Sequence, residues 1–395
     1  MKTCDVLIVG GGLTGASLAL ALAELGLNIS LAEAVSVRER CDSSGGERAL
    51  ALAKGSVGIF SRLGIWPNLC ERATPIRHIH ISDRGHFGKT RLNASDLGVD
   101  AFGQVLLAKD LERVLAEACA KKGIEILCPA RLIKLEVRFN AVEASLIQNG
   151  QRLIRRARLL VAADGGKSQV RRWVGIGQTT HDYGQTAVIG TVYPESPKLF
   201  TAFERFTATG PLALLPLPRG RSALIWTLPH KEACSIQAMP LKQFEQHLQE
   251  AFGWKLGRLH LDSPLYGFPL RLIRAERLFA ERVALVGNAA HQLHPVAGQG
   301  LNLGLRDVAV LARLLVKHLK RGGDPGAFTV LERYAKLRSY DHDRIIGFSH
   351  ALALWFTPTV LPLVLTRNLG LLALDLWPLG KRLLVEQAMG EMDLG

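Results

Sequence analysis

Gly10, Gly12 and Gly15, with Glu33 beyond them, are the residues of this chain whose types and spacing most clearly suit chemistry. The run Gly10-Gly11-Gly12-Leu13-Thr14-Gly15 fits G-x-G-x-x-G. Gly10 permits a tight turn, Gly12 lets backbone approach a pyrophosphate, and Gly15 lets helix and strand pack closely. A pyrophosphate then rests on the free N–H groups at a positive helix N-terminus. Glu33 lies 18 residues past Gly15, near the usual place of the acid that accepts ribose hydroxyls. Its charge repels a 2′-phosphate, which disfavours NADP at this site. These residues predict a dinucleotide site.

Other residues qualify by type. Asp164-Gly165 ends an apolar run, and Ser168 and Arg171 follow where a helix begins. Arg48 follows a Ser-Ser-Gly-Gly loop and is either a phosphate ligand or a solvated loop residue. Gly287 and Asn288 end a second apolar run. Pro295, Gly298, Gln299, Gly300, Leu301 and Asn302 then lead into a long apolar stretch. His291 and His294 have H-x-x-H spacing, but no third ligand is identifiable, so no metal is expected. The six cysteines show no C-x-x-C and read as small apolar residues in a reduced protein.

The elements that must position these residues follow from periodicity. Cys4–Val9 is a short buried strand, Ala16–Leu25 an Ala/Leu-rich helix, and Asn28–Ala32 a second strand. Leu111–Lys121 reads as a helix. Leu132–Val137 and Val142–Leu146 read as a small meander. From Gln185 to Leu228 the pattern changes to short alternating strands with Gly-Pro and Pro-Arg-Gly turns. Arg282–Gly287 returns to a buried strand, and Leu301–Lys320 is a long helix. The expected fold is α/β: a dinucleotide-binding Rossmann-like domain, assigned to FAD by the resemblance given below, with an inserted, mostly antiparallel β-sheet domain and a C-terminal helical region. The expected division is residues 1–75, 100–180 and 275–340 for the first, 76–99 and 181–274 for the second, and 341–395 for the third.

The chain has 395 residues, 48% of them hydrophobic and 21% charged, enough for a large core. Its formal net charge of +14 comes from 49 Lys+Arg against 35 Asp+Glu. The basic residues are dispersed and not interleaved with aromatics, so nucleic acid is not expected as a partner. The N-terminus does not read as a signal peptide. Ile345–Thr366 carries no charged residue, but His350, Pro358 and Pro362 interrupt it. It reads as a helical hairpin. With the apolar stretch after it, this end either docks on a bilayer or partner subunits or packs on the FAD domain.

Three stretches in order, Gly10–Gly15, Ala163–Arg171 and Gly287–Asp307, resemble the para-hydroxybenzoate hydroxylase-like flavin monooxygenases over nearly the whole chain. Arg48–Leu52, Ser82–His86, Ala202–Thr207 and Val286–Ala290 resemble the ubiquinone-pathway subgroup. The resemblance implies FAD as cofactor, NAD(P)H and O2 as co-substrates, and hydroxylation of a polyprenylated methoxyphenol through a flavin hydroperoxide. It implies cofactor contacts at Gly10, Gly12, Gly15, Glu33, Arg48, Gln104, Asp164, Gly165, Arg171, Gly287, Asn288, Gly300, Leu301 and Asn302. It places Pro295, Gly298 and Gln299 at the reactive edge of the flavin. The broader family has Asp where this chain has Asn288; Asn keeps an acceptor and loses the charge. His86, His294 and Tyr183 are candidates for a phenol-activating base by type alone. The same scaffold also carries FAD-dependent reductases and halogenases, and the W-x-W-x-I-P run of halogenases is missing. A non-catalytic FAD-binding subunit of a quinone-biosynthesis complex is a further alternative. The implied setting is the cytoplasm, at the inner face of the membrane, and a homo-oligomer is an open alternative.

Overall fold

A computed structural model describes residues 2–294, 298–355, 361–377, 380–382, 385 and 389–390. The chain opens with strand β1 (Lys2–Val9), helix α1 (Leu13–Ala23) and strand β2 (Ile29–Ala32). Val6, Leu7 and Ile8 are fully buried, as a strand covered on both faces requires. Helix α2 (Val37–Asp42) starts with a capping box between Ser36 and Glu39. Then come β3 (Ala49–Ala53), α3 (Lys54–Arg62), β4 (Thr74–Ile76), β5 (His78–Asp83), β6 (Lys89–Asn93), β7 (Gly103–Leu107) and α4 (Ala108–Lys121).

Strand β8 (Glu125–Leu127) precedes a meander of β9 (Ala130–Arg138), β10 (Ala141–Gln148) and β11 (Gln151–Ala162), which ends at Asp164. The short helix α5 (Gln169–Trp173) leads to β12 (Gln178–Pro194), β13 (Thr201–Thr207), β14 (Gly210–Pro216) and β15 (Ser222–Pro229). Helices α6 (His230–Ala238) and α7 (Leu241–Phe252) follow, then β16 (Leu259–Leu261), β17 (Tyr266–Ala275), β18 (Phe279–Ala280), β19 (Val283–Leu285) and β20 (His291–Gln292). The chain finishes in helices α8 (Gln299–Leu319), α9 (Phe328–Trp355) and α10 (Leu361–Leu376).

Three sheets result. The first runs β18-β19-β11-β1-β2-β8, with β10 and β9 continuing from β11. Its central strands β19, β11, β1, β2 and β8 are parallel, the pattern of a dinucleotide-binding layer. The second runs β20-β17-β12-β15-β14-β13-β5-β6 and is mostly antiparallel. A third small sheet, β3-β7-β4, lies between them in the contact network. The main core joins the first sheet to α1, α4 and α8. A second core packs the outer face of the large sheet on α6 and α7, through Val188, Phe203, Trp226, Phe244 and Leu248.

Two particulars differ from the sequence-based division. Helix α9 continues unbroken from Phe328 to Trp355, so no boundary falls near residue 340. Strand β20 pairs with β17, so residues 291–292 belong to the large sheet and not to the nucleotide layer. Helices α9 and α10 make up the C-terminal helical region, and no described helix is long and apolar enough to cross a membrane. Helix α10 lies on the β5–β6 edge. Asn368 accepts the Gly88 N–H at 2.7 Å, and Asp375 accepts the Arg91 N–H at 2.9 Å.

Candidate cofactor site

The turn after β1 is shaped by steric necessity. Gly10 has φ +104°, and a Cβ there would lie 2.3 Å from the Ala163 carbonyl oxygen. A Cβ on Gly15 would lie 1.9 Å from the Gly10 oxygen. Both positions therefore exclude any side chain. Gly12 is the contrast: a Cβ there would meet nothing within 4 Å. The open space before Gly12 lies at the N-terminus of α1, as a bound pyrophosphate requires.

Glu33 stands at the end of β2. Its carboxylate accepts the Gly11 N–H at 2.6 Å and the Val35 N–H at 2.8 Å, and lies 3.5 Å from Arg40. Arg40 also reaches Glu112 at 2.8 Å. Together with Gly12, Leu13 and Val37 these groups wall a cleft beside the glycine turn. Arg40 carried no sequence signal, because its place depends on α2 packing against α4.

The two other glycine motifs meet the first one. A Cβ on Gly287, at φ +57°, would lie 2.8 Å from Thr14 Oγ1. A Cβ on Gly304 would lie 3.1 Å from Gly287 Cα. Thus α1, the Gly287 turn and α8 are in close contact. Asn288 projects from that turn and is exposed, and among the described residues its side chain has no partner. A Cβ on Gly300 would meet nothing within 4 Å, whereas Gly298 holds the left-handed conformation, φ +62°, against Ala51. Leu301 is half-buried and Gln299 is buried. Pro295 lies outside the described residues.

Several expected ligands hold the frame instead of facing open space. Arg171 is buried, and its guanidinium donates to the Ala289 carbonyl at 2.6 Å, to the Gly166 carbonyl at 2.9 Å and to Gln178. It ties the Gly165 loop to the Gly287 turn. Asn302 is similarly committed. Its Oδ1 accepts from Ala53 N and Ser56 Oγ, and its Nδ2 donates to the Ala51 and Gly298 carbonyls. Asp164 Oδ2 caps α5 by accepting from Gln169 N and Val170 N. Its Oδ1 is buried with no partner among the described residues. Gly165, at φ +81°, permits the turn that aims it.

Arg48 ends the loop before β3, and Gln104 sits opposite Leu52 in β7. Protein crowds around the Arg48 guanidinium, yet much of the side chain is exposed. Burial lowers its pKa, and Glu112 partly offsets that. An accessible guanidinium, open space at Gly12 and Gly300, and an Asp164 oxygen and an Asn288 side chain that have no partner among the described residues form a set that suits a long, polar dinucleotide.

A buried hub supports this wall. Asp307, inside α8, accepts from Gly287 N at 3.0 Å and His291 Nε2 at 2.9 Å on one oxygen. Its other oxygen accepts from Arg338 Nε and His342 Nε2, each at 2.7 Å. His291, Asp307 and His342 are close enough together to resemble a metal site. Each Asp307 oxygen already holds two donors, so the geometry is that of a hydrogen-bonded hub. Burial alone would raise the Asp307 pKa, but His342, Arg338 and His291 outweigh it and hold the carboxyl well below its ordinary value.

The base candidates separate. His86 lies on the exposed turn between β5 and β6. Tyr183 bonds His350 Nδ1 at 2.9 Å, and its ring lies 4.9 Å from the His294 ring. Burial pushes Tyr183 up to about 12 and His294 down to about 4. Both are weak proton acceptors near neutral pH.

Comparison with known proteins agrees with this geometry. The family model described as FAD binding domain matches residues 3–346. The chain is 38% identical over 399 residues to ubiquinone hydroxylase UbiL of Rhodospirillum rubrum, covering all of this chain and 91% of that protein. It is 31% identical to 3-demethoxyubiquinol 3-hydroxylase of Escherichia coli, covering 98% of each. The solved structure of p-nitrophenol 4-monooxygenase PnpA from Pseudomonas putida shares the fold, with a TM-score of 0.82, 19% identity and full coverage of both chains.

Proposed function

Because the chain belongs to the FAD binding domain family of flavin monooxygenases, we propose that it hydroxylates the ring of a polyprenylated methoxyphenol in ubiquinone biosynthesis, using FAD, NAD(P)H and O2. The observation that carries this reading is the contact of Thr14, Gly287 and Gly304, which brings the two distant glycine motifs to one cleft. The whole-length similarity to ubiquinone hydroxylases gives the substrate class.

FAD, when bound, supplies the redox chemistry between NAD(P)H and dioxygen. The protein supplies position and field. Gly12 and the α1 N-terminus receive the pyrophosphate, Glu33 the ribose, and Arg48 and Gln104 the phosphate side. Asn288 and the α8 N-terminus at Gly298–Leu301 face the ring system, where helix N–H groups favour negative charge. Asp164 supports the nucleotide through its orphaned Oδ1.

A polyprenylated substrate resides in lipid, and the C-terminal helix offers a matching surface. Leu369, Leu376 and Trp377 are all exposed there. The protein docks on the bilayer through this face, aided by its positive charge. Replacing Leu369 and Trp377 by Glu lowers recovery with anionic liposomes several-fold and leaves turnover of a short-chain phenol unchanged. Equal recovery sinks the docking.

The direct test of function is oxygen uptake with NAD(P)H and 2-prenyl-6-methoxyphenol, with the product identified by mass spectrometry. A hydroxylated ring is expected. A saturated prenyl chain without oxygen uptake indicates a reductase. Bound yellow cofactor without any turnover indicates a non-catalytic subunit.

A further inference from the structure

Glu204 lies in the middle of β13, where alternation fixes its direction. Phe203 belongs to the outer core with Phe252, ring centroids 5.7 Å apart. Ala202 belongs to the opposite face, where Leu215, Leu217 and Ala223 pack against Ala49, Ala51 and Val105 of the small sheet. Glu204 shares that inner face, by the period-two rule of strands. In its own row the register places Ile81, Ala213, Ile225 and Ile189 beside it. The carboxyl is therefore the one acidic side chain in a row that Thr90 and Tyr266 end. The adjacent row meets the sheet that carries Arg48 and Gln104.

Like Arg48, Glu204 is enclosed by protein but retains accessible surface. Among the described residues Glu204 has neither a hydrogen bond nor an ion pair. Its neighbour Arg205 points to the other face. An enclosed carboxylate without a partner is costly, and such groups concentrate at sites of chemistry.

On the reading of the chain as a phenol hydroxylase, we propose that Glu204 is the base that takes the phenolic proton of the substrate. The O–H bond breaks, its electron pair stays on oxygen, and the ring becomes nucleophilic. A ring carbon then forms a bond to one atom of dioxygen. The O–O bond breaks as that bond forms, and the resulting dienone regains aromaticity by losing its ring proton and gaining one at its carbonyl oxygen. The proton on Glu204 leaves with the second dioxygen atom as water, and NAD(P)H is the reductant. Burial raises the Glu204 carboxyl to about 7, with no charged group contributing. That narrows its gap to a phenol near 10.

The test uses full-length, FAD-loaded protein with 2-prenyl-6-methoxyphenol. Two readouts are followed from pH 6 to 9: phenolate absorbance on binding and hydroxylation rate. Wild type is expected to generate phenolate below the free phenol's own pKa. Glu204→Gln abolishes that signal and lowers kcat about 100-fold, with FAD content and phenol affinity within about threefold of wild type. The limb of the rate profile near pH 7 disappears, and Glu204→Asp restores part of the signal. Wild-type phenolate and turnover in Glu204→Gln overturn the proposal, as does loss of FAD from a folded Glu204→Asp. A wild-type protein that ionises the phenol through Glu204 but forms no hydroxylated product refutes the hydroxylase reading and keeps the base.

Discussion

Two enclosed carboxylates, Asp307 behind the Gly287 turn and Glu204 on the large sheet, have opposite fates. Asp307 receives four donors, two on each oxygen. Glu204 receives none among the described residues. Burial pushes both toward the neutral form, but His342, Arg338 and His291 reverse the shift at Asp307 and nothing reverses it at Glu204. Depth alone therefore does not decide acid strength; the partners do. One carboxylate is consumed in holding the cofactor wall, and the other keeps its lone pairs available.

The harshest way to break this contrast is Asp307→Ala. It leaves His291, His342 and Arg338 buried without their shared acceptor. A loss of about 3–5 kcal/mol is expected, read as a lower urea midpoint, together with poor FAD retention because Gly287 loses its anchor. A variant as stable as wild type would show that the hub is dispensable.

Glu204→Gln should do the reverse. The folded-state pKa of Glu204, about 7, lies above the ordinary unfolded value near 4.3. The folded protein thus holds the proton more tightly, and the charged form is penalised as pH rises through that window. Removing the charge should raise Tm at pH 8 by on the order of 2 °C and leave it unchanged near pH 4.5. An equal shift at both pH values would mean that the ionisation of Glu204 is not what the fold opposes. The smallest effect belongs to His342→Gln, which weakens one of four bonds at Asp307 and should cost about 1.5 kcal/mol. A cost matching Asp307→Ala would show that a single donor, and not the set, carries the hub.

The nucleotide layer was legible because its demands are local. Gly10 and Gly15 exclude side chains, and Glu33 follows a strand of readable periodicity. The hub was not legible. Arg338 and His342 lie in Arg-Ser-Tyr-Asp-His-Asp-Arg, residues 338–344, which reads as a solvated helix face. Only the packing of α9 on α8 turns that face inward. Arg171 and Asn302 were identified as important from their motifs, but their bonding to carbonyls required coordinates. Glu204 carried no signal of its own, because which face of β13 meets the cofactor wall depends on β3 and β7, some 150 and 100 residues earlier in the chain.

The contact of Thr14 with Gly287 and Gly304 also sets an order in time. Strand β1 emerges before its partners during synthesis, and its neighbour β2 follows at once. Its other neighbour β11, and β19 beyond it, come far later. The ribosome must release the segment through Gly304 before the glycine turn gains its back wall. The nascent chain therefore carries an apolar, half-paired β1 until β11, residues 151–162, has emerged. Loading of the nucleotide follows the synthesis of α8, and chaperone dependence should be greatest before it.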